Sequence, residues 1–400
     1  MWEMKAILIT LFRNRLGVAL VIIQLALTLA IISNAVFVVL ERNTLINRET
    51  GMPENELFGF NMLLTDASLN ITTVIDEDLR LINAMPGVKA ATPINTLPLA
   101  FSSSIMGFAR EPNATHGSQP ANKIYVNHNG MEALGVKLIA GRNFREDEMQ
   151  YFKQRGQYAN VAIVTKQYAD RLFPDGGALN QTIYRHLHPI KIVGIAERNM
   201  GTSVVWSEAG SVIFFPQLEL GSSTHYVVRT EPSQRAQITQ EIENKLIASN
   251  KHRVIEALKG LDEYKRLSYT QDIAMIKILS VVIVMISVIA IMGSIGLTIL
   301  RINQRRKQIG TRRALGATRL DIIRYYLLEN VIVCLLGLFL GGVLSLGLNH
   351  FLVQYQHLQV ISVNLIVVCA SVFFLFSVVA VLWPALRAAQ ISPALATRSV

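Results

Sequence analysis

The chain has 400 residues, of which 51% are hydrophobic and 16% charged, and its 38 Lys and Arg outnumber its 28 Asp and Glu to give a formal net charge of +10. A chain this apolar is not intrinsically disordered, and its composition favours a membrane protein. The positive charge does not indicate a nucleic-acid-binding protein, because that class needs a basic patch on one folded face.

Four long runs contain no Asp, Glu, Lys or Arg, and each can cross a hydrocarbon core about 30 Å thick. A single charge at the centre of such a run costs about 2.5 to 3.5 kcal/mol on insertion scales. Uncharged runs of this length are therefore typical of membrane spans. The uncharged runs are 16–40, 278–300, 330–349 and 360–386, and we predict membrane helices at residues 16–40, 276–300, 330–349 and 360–386.

The distribution of Lys and Arg predicts which segments face the cytosol. The N-terminal segment 1–15, the loop 301–329 and the tail 387–400 are basic, and short basic loops stay on the cytoplasmic side. The segment 41–275 carries 24 basic and 25 acidic residues, as expected of an external domain. A cleaved signal peptide is the alternative for the first run, but that run is longer than a signal core of roughly 7 to 15 residues.

The external segment 41–275 is long enough for one large or two small domains, with an inner subdomain at about 120–220. Its hydrophobic periodicity predicts an α+β fold. Both cysteines, Cys334 and Cys369, lie in predicted spans, so this domain folds without disulfides. We predict helices at 74–85, 166–173, 234–247 and 254–264, the last continuing towards the second span, and strands at 88–94, 161–164 and 190–195.

No catalytic, cofactor-binding or metal-binding motif is found. The dipeptide Gly-Lys does not occur, so these residues contain no P-loop, and neither G-x-S-x-G nor H-E-x-x-H is present. His186 and His188 have no third ligand nearby and are more typical of solvent-facing side chains. An enzyme of unrecognised type within the membrane is the remaining alternative to a non-catalytic protein.

Three stretches carry a family resemblance. Residues 306–317 read RKQIGTRRALGA, and residues 383–393 read WPALRAAQISP. The third is a set of short motifs in the external domain at 84–89, 134–144, 161–164, 169–174 and 192–195. Together they resemble the MacB/FtsX-type permeases of ABC transporters, the mechanotransmission class, with an FtsX-like permease domain at 276–393. The family usually has an acid where this chain has Gln308.

The resemblance implies a non-catalytic permease subunit of the bacterial inner membrane, with a periplasmic MacB-like core domain. It binds no cofactor itself, and ATP and Mg²⁺ belong to a partner ABC ATPase present in two copies. Further implied partners are a second permease subunit, identical or related, membrane lipid, a periplasmic adaptor and an outer-membrane channel. Relatives export peptides, antimicrobial compounds or other amphiphilic substrates. Alternatives are a regulator of a cell-wall hydrolase, a lipoprotein-releasing permease and a sensor that works with a kinase.

The resemblance also implies a site for the ATPase in the loop 301–329. Gly310 and Gly316 bracket a short segment suited to a partner's groove, and Thr318 with Asp321 is a capping-box pattern that starts the third span. The remaining basic residues of the loop, Arg305, Arg306, Lys307 and Arg324, are expected to set topology and bind anionic lipid. We predict ATPase coupling through Ile309, Gly310, Arg312, Arg313, Ala314, Leu315, Gly316 and Ala317.

Small residues and one acid stand out in the predicted spans. Gly337 and Gly341 form a G-x-x-x-G motif, and Gly293 with Gly296 can likewise allow close helix packing in lipid. Glu329 lies at the edge of the third span, where a lone carboxylate is costly. It either pairs with a basic loop residue or faces interfacial water.

Overall fold

The computed structural model describes residues 15–66, 68–100, 104–114, 117–152, 158–202, 204, 208–356 and 359–390. The predicted N-terminal segment, except Arg15, and the tail beyond Gln390 lie outside the described residues. The described residues form two compact units, residues 48–271 and a helical unit of 15–47 with 272–390.

The helical unit holds four helices long and apolar enough to cross a membrane. They are α1 (Arg15–Ile46), α7 (Thr270–Gln304), α9 (Arg319–Gln356) and α10 (Val363–Ala389), and the short helix α8 (Arg306–Ala314) joins α7 to α9. Helices α1, α7 and α9 extend beyond their predicted spans at both ends because their polar ends continue the same helical turns, whereas α10 begins and ends three residues later than predicted. Four spans with a large α+β domain between the first and second confirm the predicted fold class.

Helix α9 packs closely on α1 along the predicted G-x-x-x-G face. A Cβ atom placed on Gly337 would lie 2.9 Å from Cβ of Leu25, and one on Gly341 would lie 3.0 Å from the carbonyl oxygen of Ala26. The first distance is shorter than real Cβ atoms show and the second is shorter than most of their contacts, so glycine is what lets the two backbones meet. Leu29 lies in the resulting interface with its side chain fully buried.

Polar side chains add hydrogen bonds to the same interface. The hydroxyls of Ser33 and Ser345 lie 2.7 Å apart, and Nδ2 of Asn34 donates to the carbonyl oxygen of Ser345 at 3.1 Å. All three side chains are buried. Because hydrocarbon offers no alternative partner, these bonds fix the register of α1 against α9.

Helix α7 packs much less on the rest of its unit. Its only buried residues within the described chain are Ala290, Ser294 and Ile302. Gly293 approaches Gln24 of α1, since an added Cβ would meet that side chain at 2.4 Å, whereas a Cβ on Gly296 meets no described atom within 4 Å. The packing role predicted for Gly296 therefore has no partner among the described residues of this chain and stays a prediction.

Residues 48–271 contain two β-sheets. Their strands are β1 (Leu57–Leu64), β2 (Val88–Ile94), β3 (Ile105–Phe108), β4 (Gln119–Val126), β5 (Leu138–Gly141), β6 (Gln150–Phe152), β7 (Val161–Thr165), β8 (Thr182–Arg185), β9 (His188–Ala196), β10 (Val212–Glu219), β11 (Ser223–Thr230) and β12 (Arg253–Gly260). One sheet is four-stranded and antiparallel, with the order β12-β1-β11-β2. The other is eight-stranded and mixed, with the order β3-β4-β10-β7-β9-β5, and β6 pairs with β10 and β8 with β9.

Each sheet has its own hydrophobic core. The four-stranded sheet is covered by α2 (Ile71–Asn83) and α5 (Arg235–Ser249), and the eight-stranded sheet by α4 (Lys166–Leu172). Two short helices, α3 (Gly130–Ala133) and α6 (Leu261–Ser268), complete the unit. The strands of the eight-stranded sheet extend from Ile105 to Glu219, whereas the inner subdomain was predicted at about 120–220.

The predicted helices and strands of this domain are confirmed with one exception. The helix predicted at 254–264 is wrong, because Arg253–Gly260 is strand β12 and only Leu261–Ser268 is helical. The local apolar spacing allowed a helix. Antiparallel pairing with β1 and the burial of Arg253 hold the segment extended instead.

Candidate functional site

Helix α8 lies in the segment predicted to couple to an ATPase. It runs from Arg306 to Ala314 and ends where Gly316 adopts a φ of +100°, a conformation that favours glycine. Gly310 does not bracket the segment as predicted, since it is buried within the helix. One glycine costs a helix only about 1 kcal/mol relative to alanine, so it does not end a helix that is packed on its neighbours.

The predicted capping box at the start of α9 is confirmed. The backbone N–H of Asp321 donates to Oγ1 of Thr318 at 3.2 Å, and the N–H of Thr318 donates to Oδ2 of Asp321 at 2.9 Å. Two orphan donors of the first turn are thus satisfied by side chains. These hydrogen bonds therefore fix the direction in which α9 leaves the turn that follows α8.

The inward face of α8 packs on the ends of three longer helices. Ile309 is 4% exposed and contacts a small cluster of buried apolar side chains, and Ala317 packs against its edge. This cluster joins α7, α8, α9 and α10. Its buried members are Ile302, Ile309, Ile322, Tyr326, Ala385, Ala388 and Ala389.

The two arginines near the end of α8 contact neighbouring helices of the same chain. The guanidinium of Arg312 lies 4.7 Å from the ring centroid of Tyr325, and Nη1 of Arg313 donates to the carbonyl oxygen of Ala389 at 2.5 Å. Ala389 is the last residue of α10, where carbonyl groups lack helical partners and attract cations. Both arginines therefore hold α8 on the helical unit.

A buried carboxylate joins α9 to the start of α8. Nη1 of Arg305 donates to Oε2 of Glu329 at 2.9 Å, and Nη1 of Arg301 lies 4.0 Å from Oε1 of the same side chain. The sequence assigned Arg305 to topology and lipid binding, and the lipid-binding part is wrong: its side chain is 12% exposed and pairs with a carboxylate that is 3% exposed. An unpaired carboxylate at this depth would be costly.

The outward face of the segment presents apolar side chains among cations. Leu315 is 83% exposed and Leu320 is 76% exposed. Between and beside them Ala314 and Gly316 are also exposed, as are Arg306, Lys307, Arg319 and Arg324. Exposed leucines in a basic surrounding, at the tip of a turn, are typical of a protein contact.

The structure thus divides the eight predicted coupling residues into three groups. Ile309, Gly310 and Ala317 face inward, Arg312 and Arg313 bind neighbouring helices, and Ala314, Leu315 and Gly316 face outward. Sequence reasoning missed Arg301, Leu320 and Tyr325. A signal was available for Arg301 and Arg305, because they lie four residues apart and so on one helical face.

Among the described residues of the globular unit no group of three or more His, Cys, Asp and Glu is placed to hold a metal ion. His186 is exposed, on the turn between β8 and β9, and His188 is half-buried at the start of β9.

Comparison with known proteins gives matches over both units. The FtsX-like permease C-terminal family matches residues 278–393, and the MacB-like periplasmic core domain family matches residues 15–245. A macrolide export ATP-binding/permease protein MacB from Chromobacterium violaceum is 25% identical over 286 residues, which are 68% of this chain and 42% of that protein. Its namesake from Neisseria meningitidis serogroup A is 23% identical over 338 residues, which are 81% of this chain and 49% of that protein.

The chain spans about half the length of these curated relatives. A solved structure, the periplasmic region of MacB from Actinobacillus actinomycetemcomitans, aligns with a TM-score of 0.34 and 15% identity, covering 56% of this chain and 97% of that one.

Proposed function

This chain belongs to the MacB/FtsX-type family of ABC transporter permeases, and from that premise we propose that it couples ATP hydrolysis by a separate ATPase subunit to movement of its external domain. The ATP and Mg²⁺ are bound outside these 400 residues, which contain no Gly-Lys dipeptide and hence no P-loop. The relatives named above are ATP-binding and permease proteins in one chain.

One observation carries the proposal, the pair of exposed leucines at the tip of the turn between α8 and α9. Leu315 and Leu320 have nothing to bury them within the described chain, whereas Ile309 and Gly310 on the inward face of α8 are buried. The surrounding cations favour a partner surface with an apolar groove and an acidic rim. An ATPase that grips this tip can displace α8 and, through it, α7, α9 and α10.

The proposed orientation places the tip in the cytosol and residues 48–271 in the periplasm, in a bacterial inner membrane. The proposed assembly contains two ATPase subunits and a second permease subunit, with an adaptor and an outer-membrane channel as further partners. Its proposed activity is the export of peptides, antimicrobial compounds or other amphiphilic molecules.

The test is purification of the tagged full chain from its native membrane in mild detergent. We expect an ABC ATPase to co-purify and to hydrolyse ATP faster in the complex than alone. Reconstituted vesicles should then export an amphiphilic peptide only with ATP. A chain that retains a cell-wall hydrolase and exports nothing would instead favour a regulator, and a chain that retains a kinase and no ATPase would refute the proposal.

A further inference from the structure

Arg305 is the single residue between helices α7 and α8. Helix α7 ends at Gln304 and α8 begins at Arg306, so any change in the angle between the helices must occur at Arg305. Its backbone N–H donates to the carbonyl oxygen of Arg301 at 3.2 Å, and its own carbonyl oxygen accepts from the N–H of Ile309 at 3.0 Å. Its φ of −105° and ψ of 11° depart from helical values, so the backbone leaves the helical path at this one residue and the joint can bend there.

The side chain of Arg305 removes that freedom by pairing with a third helix. Glu329 of α9 accepts from Arg305 at 2.9 Å, while Arg301, one turn earlier on α7, lies 4.0 Å from the other carboxylate oxygen. Arg301 also donates through Nη2 to the carbonyl oxygen of Gly17 on α1, at 3.1 Å. One carboxylate thus holds the end of α7, the start of α8 and the side of α9.

Few other contacts connect α7 to its unit. Within the described chain its polar contacts elsewhere are the hydrogen bond from Gln24 to the carbonyl oxygen of Ala290, at 3.2 Å, and the ion pair of Arg42 with Asp272, at 3.2 Å. Half of its apolar side chains are exposed, and only Ala290 and Ile302 among them are buried. The buried charges at Glu329 are therefore the polar attachment of α7 to α9, beside the apolar contacts of Ile302 in the cluster that also holds Ile322 and Tyr326.

We propose that Glu329 and Arg305 are positioning residues that make α7 and α9 follow α8 when α8 is displaced. This inference rests on the proposed function, because the displacement is supplied by the ATPase. Without the charge on Glu329, displacement of α8 changes the angle between α7 and α8 at Arg305, and α7 does not move with α8. The pair is buried and close, so it transmits force without a change in the two side chains themselves.

The first test needs no partner protein. Spin labels are attached at Leu300→Cys on α7 and Leu320→Cys on α9, both exposed leucines, in the full chain carrying Cys334→Ala and Cys369→Ala, in lipid nanodiscs. We expect a narrow distance distribution in the otherwise unchanged chain and at least a two-fold broader one in Glu329→Gln. The matched control is Asp272→Asn, which removes the ion pair at the other end of α7 and should leave the distribution narrow.

The second test uses the complex with the co-purified ATPase. We expect Glu329→Gln to keep the affinity for the ATPase within two-fold but to lower the stimulated rate of ATP hydrolysis at least five-fold. If Glu329 only stabilised the fold, Glu329→Gln would reduce both the affinity for the ATPase and the stimulated rate of ATP hydrolysis. Should Glu329→Gln fail to fold, Arg305→Gln removes the same hydrogen bond from the other side and must give the same two results.

The outcomes separate this inference from the proposed function. A wild-type chain that binds no ATPase refutes the proposed function. A wild-type chain that binds and stimulates the ATPase, together with a Glu329→Gln chain of unchanged label distribution and unchanged stimulation, overturns the inference alone.

Discussion

The carboxylate of Asp78 on α2 and the guanidinium of Arg253 on β12 form an ion pair in which both side chains are fully buried. The hydroxyl of Tyr226 donates to the second carboxylate oxygen of Asp78 at 3.0 Å, and Nε of Arg253 donates to the carbonyl oxygen of Asn250 at 3.1 Å. The pair ties the helical layer to the edge strand of the four-stranded sheet.

We expect Arg253→Met to destabilise the globular unit by about 3 to 5 kcal/mol, because removing one partner leaves a buried, uncompensated charge. The double variant Asp78→Leu with Arg253→Met should be less destabilised than Arg253→Met alone, since it buries no charge. The measurement is the thermal unfolding midpoint of the full chain in detergent. Equal midpoints for Arg253→Met and the double variant would contradict the argument.

An exposed ion pair of the same unit provides the control. Lys137 and Glu197 lie 3.8 Å apart with side chains 75% and 58% exposed. Exposed pairs contribute about 0 to 1 kcal/mol, so Lys137→Met should leave the midpoint nearly unchanged.

We expect Leu315→Glu to weaken association with the ATPase at least ten-fold. The substitution places a charge at a position where this chain offers an apolar side chain to the proposed contact. The measurement is the amount of ATPase retained by the tagged chain, together with stimulated ATP hydrolysis. Leu187→Glu, at another exposed leucine, between β8 and β9, should retain the wild-type amount. Unchanged retention and unchanged stimulation in Leu315→Glu would count against the proposed docking tip.

The glycines of α9 allow a matched pair of packing variants. Gly341→Val places a side chain 3.0 Å from Cβ of Leu29, and overpacking of this kind costs about 1 to 3 kcal/mol. Gly347→Val on the same helix meets no described atom within 4 Å. We expect a lower unfolding midpoint for Gly341→Val than for Gly347→Val, and the reverse order would show that this face is not the α1 interface.

Acid should destabilise residues 48–271 partly through His225 on β11. Burial lowers the pKa of His225 below its ordinary value of 6.5, because the protonated ring is desolvated. Because the pKa is lower in the folded state, the unfolded chain takes up the proton first as the pH falls. The contribution of the neutral ring to the stability of the folded unit is therefore complete above pH 6.5, and it is lost as the pH falls through the pKa of His225 in the folded state.

The measurement is the difference in unfolding midpoint between pH 7.5 and pH 5. We expect a smaller difference in His225→Gln than in the wild-type chain, and no such reduction in His186→Gln, whose ring is exposed. Identical pH dependence in His225→Gln and wild type would exclude this residue as a source of the acid sensitivity.

Most of the architecture followed from local sequence signals. The spans were predicted because an uncharged run of 20 or more residues has few stable states other than a membrane helix. Strand β2 was predicted at its observed limits, Val88–Ile94, because a helix stopped by Pro86-Gly87 precedes it. The motif at 306–317 likewise identified the family without any tertiary information.

The sequence by itself therefore determined the spans, the α+β external domain and the family, since each depends on periodicity or on residues adjacent in the chain. Tertiary structure alone decided that Gly341 packs on α1 while Gly296 meets no described atom of this chain, and that Arg253 begins a strand. It also decided that Arg305 faces Glu329, 24 residues away, and not lipid. The physical reason is the same in each case: burial and pairing are set by neighbours that are distant in the chain, and local spacing does not specify them.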